Sequence, residues 1–189
     1  MTAPVKPTSR DRLLDATAAL AYREGVAVGV EALCKAAGVS KRSLYQLFAG
    51  KDDLLAASLE RRAADYSARL LPDPDDGRPP RARVLSVFER AVAQAAVPEY
   101  RGCPYLAVQI ELKDDDHPAS RVARRVKEVL AAFFRAEAAR GGAADPDLVA
   151  RQLMLLFDGA AARAGIHVDA LEDLVVPMAA GVLDAAGVR

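Results

Sequence analysis

Apolar residues recur along this 189-residue chain at the three- and four-residue spacing of helices, and no run of alternating β-branched residues is long enough for a strand. The pattern predicts an all-α protein of about nine helices. Thr8 followed by Asp11 has the form of a capping box, and the helix it opens sets Leu13, Thr17, Leu20 and Ala21 on one face before Gly25 closes it. A short pair of helices follows between Gly29 and Phe48. A longer amphipathic segment is predicted over 52–71 and stops at Pro72, where PDPDDGRPP makes a polar, helix-breaking linker. Four further helices are predicted over 80–97, 104–112, 118–140 and 146–164, each opened by a proline whose missing N–H costs nothing in a first turn. The last helix is expected over 170–186, kinked at Pro177.

The segment GVEALCKAAGVSKRSLYQLF has the order of a helix-turn-helix, with a tight turn at Ala37-Gly38-Val39 and Ser40 capping the second helix. On a helical wheel with Leu44 at zero, Leu47 and Phe48 fall within about 60°, whereas Arg42 and Gln46 fall near 160° and 200°. One face is therefore expected in the core and the other, basic and polar, in solvent. Lys41 lies on the first turn, and Ser43 and Tyr45 flank the outer face.

Charge supports a DNA-facing use of this segment. The chain carries 26 basic and 26 acidic residues. Yet residues 1–51 hold eight basic against four acidic side chains, a surplus of four that the remainder cancels. A basic head on a neutral-to-acidic body follows.

The turn Ala37-Gly38-Val39-Ser40, the LYQLF element and the following Phe48-Ala49-Gly50-Lys51 resemble the N-terminal domain of the tetracycline-repressor-type (TetR) family of bacterial regulators, over about Arg10 to Leu55. The resemblance implies a helix-turn-helix DNA-binding domain over 1–51 and a helical effector-binding and dimerisation domain over 52–189. It further implies double-stranded operator DNA, a second copy of the chain and a small, largely apolar effector as partners, with a repressor role. Carried over residue by residue, it makes Lys41, Arg42, Ser43 and Gln46 groove-facing, Tyr45 and Lys51 phosphate contacts, and Gly29, Val30 and Ser40 the remaining DNA-side positions. Gly29 stands where the family often has a capping threonine, so that cap is expected from backbone alone. Arg42 replaces a frequent glycine and adds a fork suited to guanine O6 and N7.

In the body, RGCPYLAVQIELKDDDHPASR and LMLLFDGAAARAG are similar to the ligand-binding domain of one TetR subgroup. That similarity implies a dimer interface on the last two helices, for which Leu153, Leu156, Phe157, Ala160, Ala161 and Ala164 are the candidates. It also implies a pocket among the middle helices. Phe88, Tyr105, Gln109, Phe133 and Met154 line such a pocket or fill a core, and Asp158 is either satisfied by a neighbour such as Arg163 or a polar anchor for the ligand.

The remaining chemistry is sparse. Cys34 and Cys103 are expected as packed thiols, with Arg101 the one basic neighbour favouring a sensor role for Cys103. His117 beside Asp114, Asp115 and Asp116 reads as a solvated helix start, no second histidine standing at metal-ligand spacing; His167 reads as a loop residue. There is no Ser-His-Asp set, no histidine pair and no glycine-rich phosphate loop, so neither an enzyme nor a cofactor is expected. A DNA-binding protein without a ligand stays open as an alternative. With no signal-peptide-like run and no stretch near the ~20 apolar residues of a bilayer span, a cytoplasmic protein without membrane partners is expected.

Overall fold

The computed structural model describes residues 6–168, 171 and 173–189. Among them the chain forms nine α-helices: α1 (Ser9–Glu24), α2 (Val30–Ala37), α3 (Lys41–Leu47), α4 (Lys51–Leu70), α5 (Pro80–Ala95), α6 (Pro104–Leu112), α7 (Pro118–Arg140), α8 (Pro146–Gly165) and α9 (Val175–Ala185). No described helix is long and apolar enough to cross a membrane.

The helix ends follow local chemistry. The Thr8 hydroxyl accepts from the Asp11 amide at 3.1 Å while the Asp11 carboxylate accepts from the Thr8 amide at 3.0 Å, so the capping box is reciprocal with aspartate in place of the longer acid. Asp145 caps α8 by accepting from the Leu148 amide at 2.9 Å, with Pro146 at the first helical position. Asp53 accepts from the Ala49 amide at 3.1 Å at the start of α4.

The last helix departs from the prediction. It begins at Val175, so Pro177 falls in its first turn, where no intrahelical bond is lost and no kink is required. Residues 169, 170 and 172, part of the predicted start, lie outside the described residues.

The chain divides into two compact units. The first comprises residues up to Ala63 together with Ala107–Arg124, and the second Ala64–Leu106 with Arg125–Arg189; α4, α6 and α7 each contribute to both. In the first unit Leu13, Leu14, Leu20, Leu33, Cys34, Ala37, Leu44, Phe48 and Leu54 form a continuous apolar core. Full burial of a leucine or phenylalanine of this kind is worth about 1.5 to 3 kcal/mol. In the second unit α5, α8 and α9 pack on one another around Val84, Phe88, Phe134, Leu153, Phe157, Ala179 and Leu183. Phe88 stacks on Phe134 with ring centroids 5.6 Å apart and meets Phe157 edge-on at 6.4 Å. Gly165 is required by a close approach: a Cβ there would stand 2.7 Å from the Arg101 carbonyl and the Gly102 nitrogen.

Candidate nucleic-acid interface

The head is built on α1. Its buried leucines Leu13, Leu14 and Leu20 supply the floor on which α2 and α3 lie, and Arg12 Nε donates to the Ala37 carbonyl at 3.1 Å, satisfying an orphan acceptor at the end of α2. Arg10 covers the edge of this core, its guanidinium 5.5 Å from the Phe48 ring centroid. Two sites on the 107–124 segment belong to the same unit. Glu111 accepts from the Val26 amide at 2.7 Å beside Gly25, and His117 Nε2 stands 3.3 Å from Asp52 while its Nδ1 accepts from the Ala119 amide at 3.1 Å. His117 thus caps α7.

Between α2 and α3, Gly38 takes the left-handed conformation (φ 61°, ψ 40°), and its N–H and that of Val39 close the end of α2 on the Lys35 and Cys34 carbonyls. The Ser40 hydroxyl then accepts from the Ser43 amide at 3.1 Å and opens α3. Gly29 precedes α2 with no side-chain cap, as its lack of a hydroxyl requires. Val30 follows it half-buried against the head core.

The outer face of α3 presents Lys41, Arg42, Tyr45 and Gln46, all exposed, Tyr45 at 58%. Among the described residues neither Arg42 nor Gln46 has a partner within the chain. Ser43 is half-buried and its hydroxyl lies 2.9 Å from that of Ser40, which turns it toward the cap rather than outward. Lys51, half-buried, is the first residue of α4, at the positive end of that helix dipole. The inner face needs one correction: Leu44 and Phe48 are buried as expected, but Leu47 is 42% exposed. It is the last residue of α3 and lies at the edge of the face that Leu44 and Phe48 bury.

The contact between the starts of α2 and α3 had no sequence signal. Glu31, in the first turn of α2, pairs with Lys41 at 3.7 Å. Beneath them Cys34 is buried; its thiol is pushed up by burial, with Lys41 acting to lower it and Glu31 to raise it. It packs in the head core as a free thiol.

In the second unit Cys103 is likewise buried, its Sγ 3.1 Å from the Tyr66 hydroxyl, and burial first, then Cys103, push that phenol well above its ordinary range. Tyr105 packs edge-on to Tyr66 at 4.8 Å. Of the pocket candidates, Phe88 and Tyr105 are fully buried, Phe133, Met154 and Asp158 are half-buried, and Gln109 is half-buried in the first unit. Asp158 pairs with Lys127 of α7, and the Lys127 ammonium stands 4.9 Å from the Phe157 ring centroid. His167 is exposed in a left-handed backbone conformation, 3.1 Å from Arg101 Nη1.

The residues expected at a dimer interface pack within the chain itself. Leu153, Phe157, Ala160, Ala161 and Ala164 are buried in the second unit and Leu156 packs half-buried against its core. The exposed large apolar residues here are Leu148 (47%) and Leu155 (77%) on α8, Ile166 (70%) at its C-terminal cap, Leu174 (44%) at the N-terminal cap of α9 and Met178 (50%) within α9.

The family model described as bacterial regulatory proteins, tetR family, matches residues 13–58, from the second turn of α1 to the first turns of α4. A solved structure from Streptomyces avermitilis, described as a TetR-type transcriptional regulator, is 64% identical over 97% of this chain and 100% of its own, with a TM-score of 0.95. A TetR-family transcriptional regulator of Streptomyces coelicolor is 26% identical over 95% of this chain and 96% of its own, with a TM-score of 0.86. The reduced form of NemR from Escherichia coli, 23% identical over 93% of this chain and 95% of its own, shares the fold at a TM-score of 0.78. No curated protein sequence matches the chain. With a helix-turn-helix supported on α1 and a relative this similar along nearly its full length, the chain belongs to the TetR family of transcriptional regulators.

Proposed function

We propose that the protein is a repressor that binds a near-palindromic operator as a homodimer and is released by a small, largely apolar ligand. The observation that carries this reading is the outer face of α3: Lys41, Arg42, Tyr45 and Gln46 stand exposed together on a helix fixed by the Gly38 turn and the Ser40 cap. Arg42 and Gln46 suit base edges, Tyr45 and Lys51 suit phosphates, and Gly29, Val30, Ser40 and Ser43 shape the approach. In this reading residues 1–51 make the DNA contacts and 52–189 hold the ligand and the partner surface.

A second copy of the chain is the occupant of the exposed stripe on α8 and α9. Leu148, Leu155 and Ile166 recur after two and three helical turns, the exposed Gly159 and Ala162 between them allow close helix approach, and Leu174 and Met178 continue the apolar surface. Two heads held in this way would enter successive major grooves about 34 to 36 Å apart, which a single seven-residue recognition helix needs for useful specificity.

The ligand reading rests on Phe88, Tyr105, Phe133, Met154 and Asp158, aromatic and soft side chains with one carboxylate in the second unit. A ligand preferring the DNA-incompetent state with a coupling of about 1 to 3 kcal/mol lowers operator affinity roughly 5- to 150-fold. To test the whole reading, genomic fragments retained by the protein are sequenced and the enriched site is placed between a promoter and a reporter. A near-palindrome whose reporter is silenced by the protein, and restored by compounds that raise its melting temperature, is the expected result. Reporter activation, or binders that leave the operator complex intact, overturns the repressor or the ligand part respectively.

A further inference from the structure

We propose that Glu31 and Lys41 act as one reading unit that selects a cytosine–guanine pair in each half-site, an inference that rests on the DNA-facing assignment of α3. Glu31 lies in the first turn of α2 and Lys41 in the first turn of α3. The Gly38 turn folds the two helix starts together and brings Lys41 Nζ within 3.7 Å of a Glu31 carboxylate oxygen. Both side chains stay open to solvent, Lys41 at 57% and Glu31 at 87%.

An ion pair this exposed contributes little to folding. Its position matters more. It sets a full negative charge beside Lys41, at the start of the helix whose outer face must approach a polyanion, where every phosphate repels it. A carboxylate has no proton to give, so it is tolerated in the major groove only opposite a donor. Two are available there, the cytosine 4-amino and the adenine 6-amino groups. Adenine presents its amino group beside the N7 acceptor, which a carboxylate cannot satisfy; cytosine presents the donor alone. The guanine paired with that cytosine offers O6 and N7, two acceptors for the Lys41 ammonium. Acid and ammonium thus match the two halves of a single base pair. Thymine O4, or a guanine in the cytosine's place, would face Glu31 with an acceptor and be rejected, so the acid contributes discrimination that the lysine alone lacks.

The test is selection from a randomised duplex library with full-length wild-type protein, Glu31→Gln and Glu31→Ala, after thermal melts confirm that these surface variants fold. Wild type is expected to enrich cytosine at one fixed position of each half-site. Glu31→Ala should relax that preference by about tenfold while the positions read by Arg42 and Gln46 keep theirs. Glu31→Gln should shift the same position toward adenine, since a carboxamide both donates and accepts. If both variants return the wild-type profile, or only bind all sequences more tightly, the paired reading is wrong and Glu31 acts through charge alone. Wild-type protein that enriches no sequence overturns the DNA-facing assignment itself, and this inference with it.

Discussion

Glu137→Ala is expected to destabilise the protein by about 3 to 5 kcal/mol, because it strands a buried positive charge. The Arg83 and Glu137 side chains are 6% and 5% exposed, and Arg83 Nε donates to the carboxylate at 3.0 Å. The same guanidinium donates to the Asp73 and Asp76 carbonyls at 2.9 and 2.7 Å and lies 5.8 Å from the Phe133 ring centroid, so it is held in place when Glu137 is removed, with the Asp76 carboxylate, already bonded to Arg78, as its remaining opposite charge. Arginine cannot escape by deprotonation. The reverse truncation is milder. In Arg83→Met the Glu137 carboxylate keeps Arg140, whose Nη1 lies 2.8 Å from both oxygens, and about 1 to 3 kcal/mol is lost through the two carbonyls left without a donor. Removing both charges in Arg83→Met/Glu137→Leu should recover most of the loss, since a packed apolar pair of similar volume is often no less stable than a buried ion pair. Urea unfolding followed by circular dichroism, at one protein concentration so that any association is constant, gives the three values. Glu137→Ala within about 1 kcal/mol of wild type, or a double variant as unstable as the two singles summed, would refute the reasoning.

Leu155→Glu should yield folded monomers by sedimentation, whereas Ala160→Glu, at a position 7% exposed, should fail to fold; a Leu155→Glu protein that sediments as a dimer places the interface elsewhere. Gly165→Ala should cost about 1 to 3 kcal/mol, because its Cβ meets the backbone of Arg101 and Gly102 at 2.7 Å, and a thermal melt unchanged from wild type contradicts that packing. Hydrogen bonds from Arg78 lower the Asp76 carboxyl from its ordinary 3.8 to about 2. Its stabilising contribution is therefore complete above about pH 4 and is lost as pH falls through about 2, so the stability difference between wild type and Asp76→Asn should shrink over that interval; a difference constant from pH 5 to 2 argues against it.

What was legible in the sequence was what local chemistry decides. The Thr8–Asp11 box, the Gly38 turn, the Ser40 cap and the proline starts of α5 to α8 each act within four residues, and each stands where its pattern put it. Faces were harder where a helix is apolar on several sides. On α8, Leu153 and Phe157 are buried in the core of the second unit, and the small residues Ala160, Ala161 and Ala164 that read as an interface are buried within the same chain. Periodicity cannot tell an inner stripe from an outer one when both are apolar, so Leu155 at 77% exposure went unnoticed. Pairs distant in sequence left no trace either. Lys127 lies 31 residues from Asp158, and Glu111 reaches Val26 across 85. Leu47 shows a third limit, since a wheel does not say how far burial extends to the edge of an apolar face at a helix end.

The account stands most directly on titration of an operator duplex and a scrambled duplex with wild-type protein and Arg42→Ala, at fixed salt because phosphate contacts make every affinity salt-dependent. Wild type should prefer the operator, and Arg42→Ala should lose about 1 to 3 kcal/mol on the operator while its affinity for the scrambled duplex falls less. Equal affinity of wild type for both duplexes, or an operator affinity untouched by Arg42→Ala, would contradict the assignment of the outer face of α3 as the surface that reads DNA.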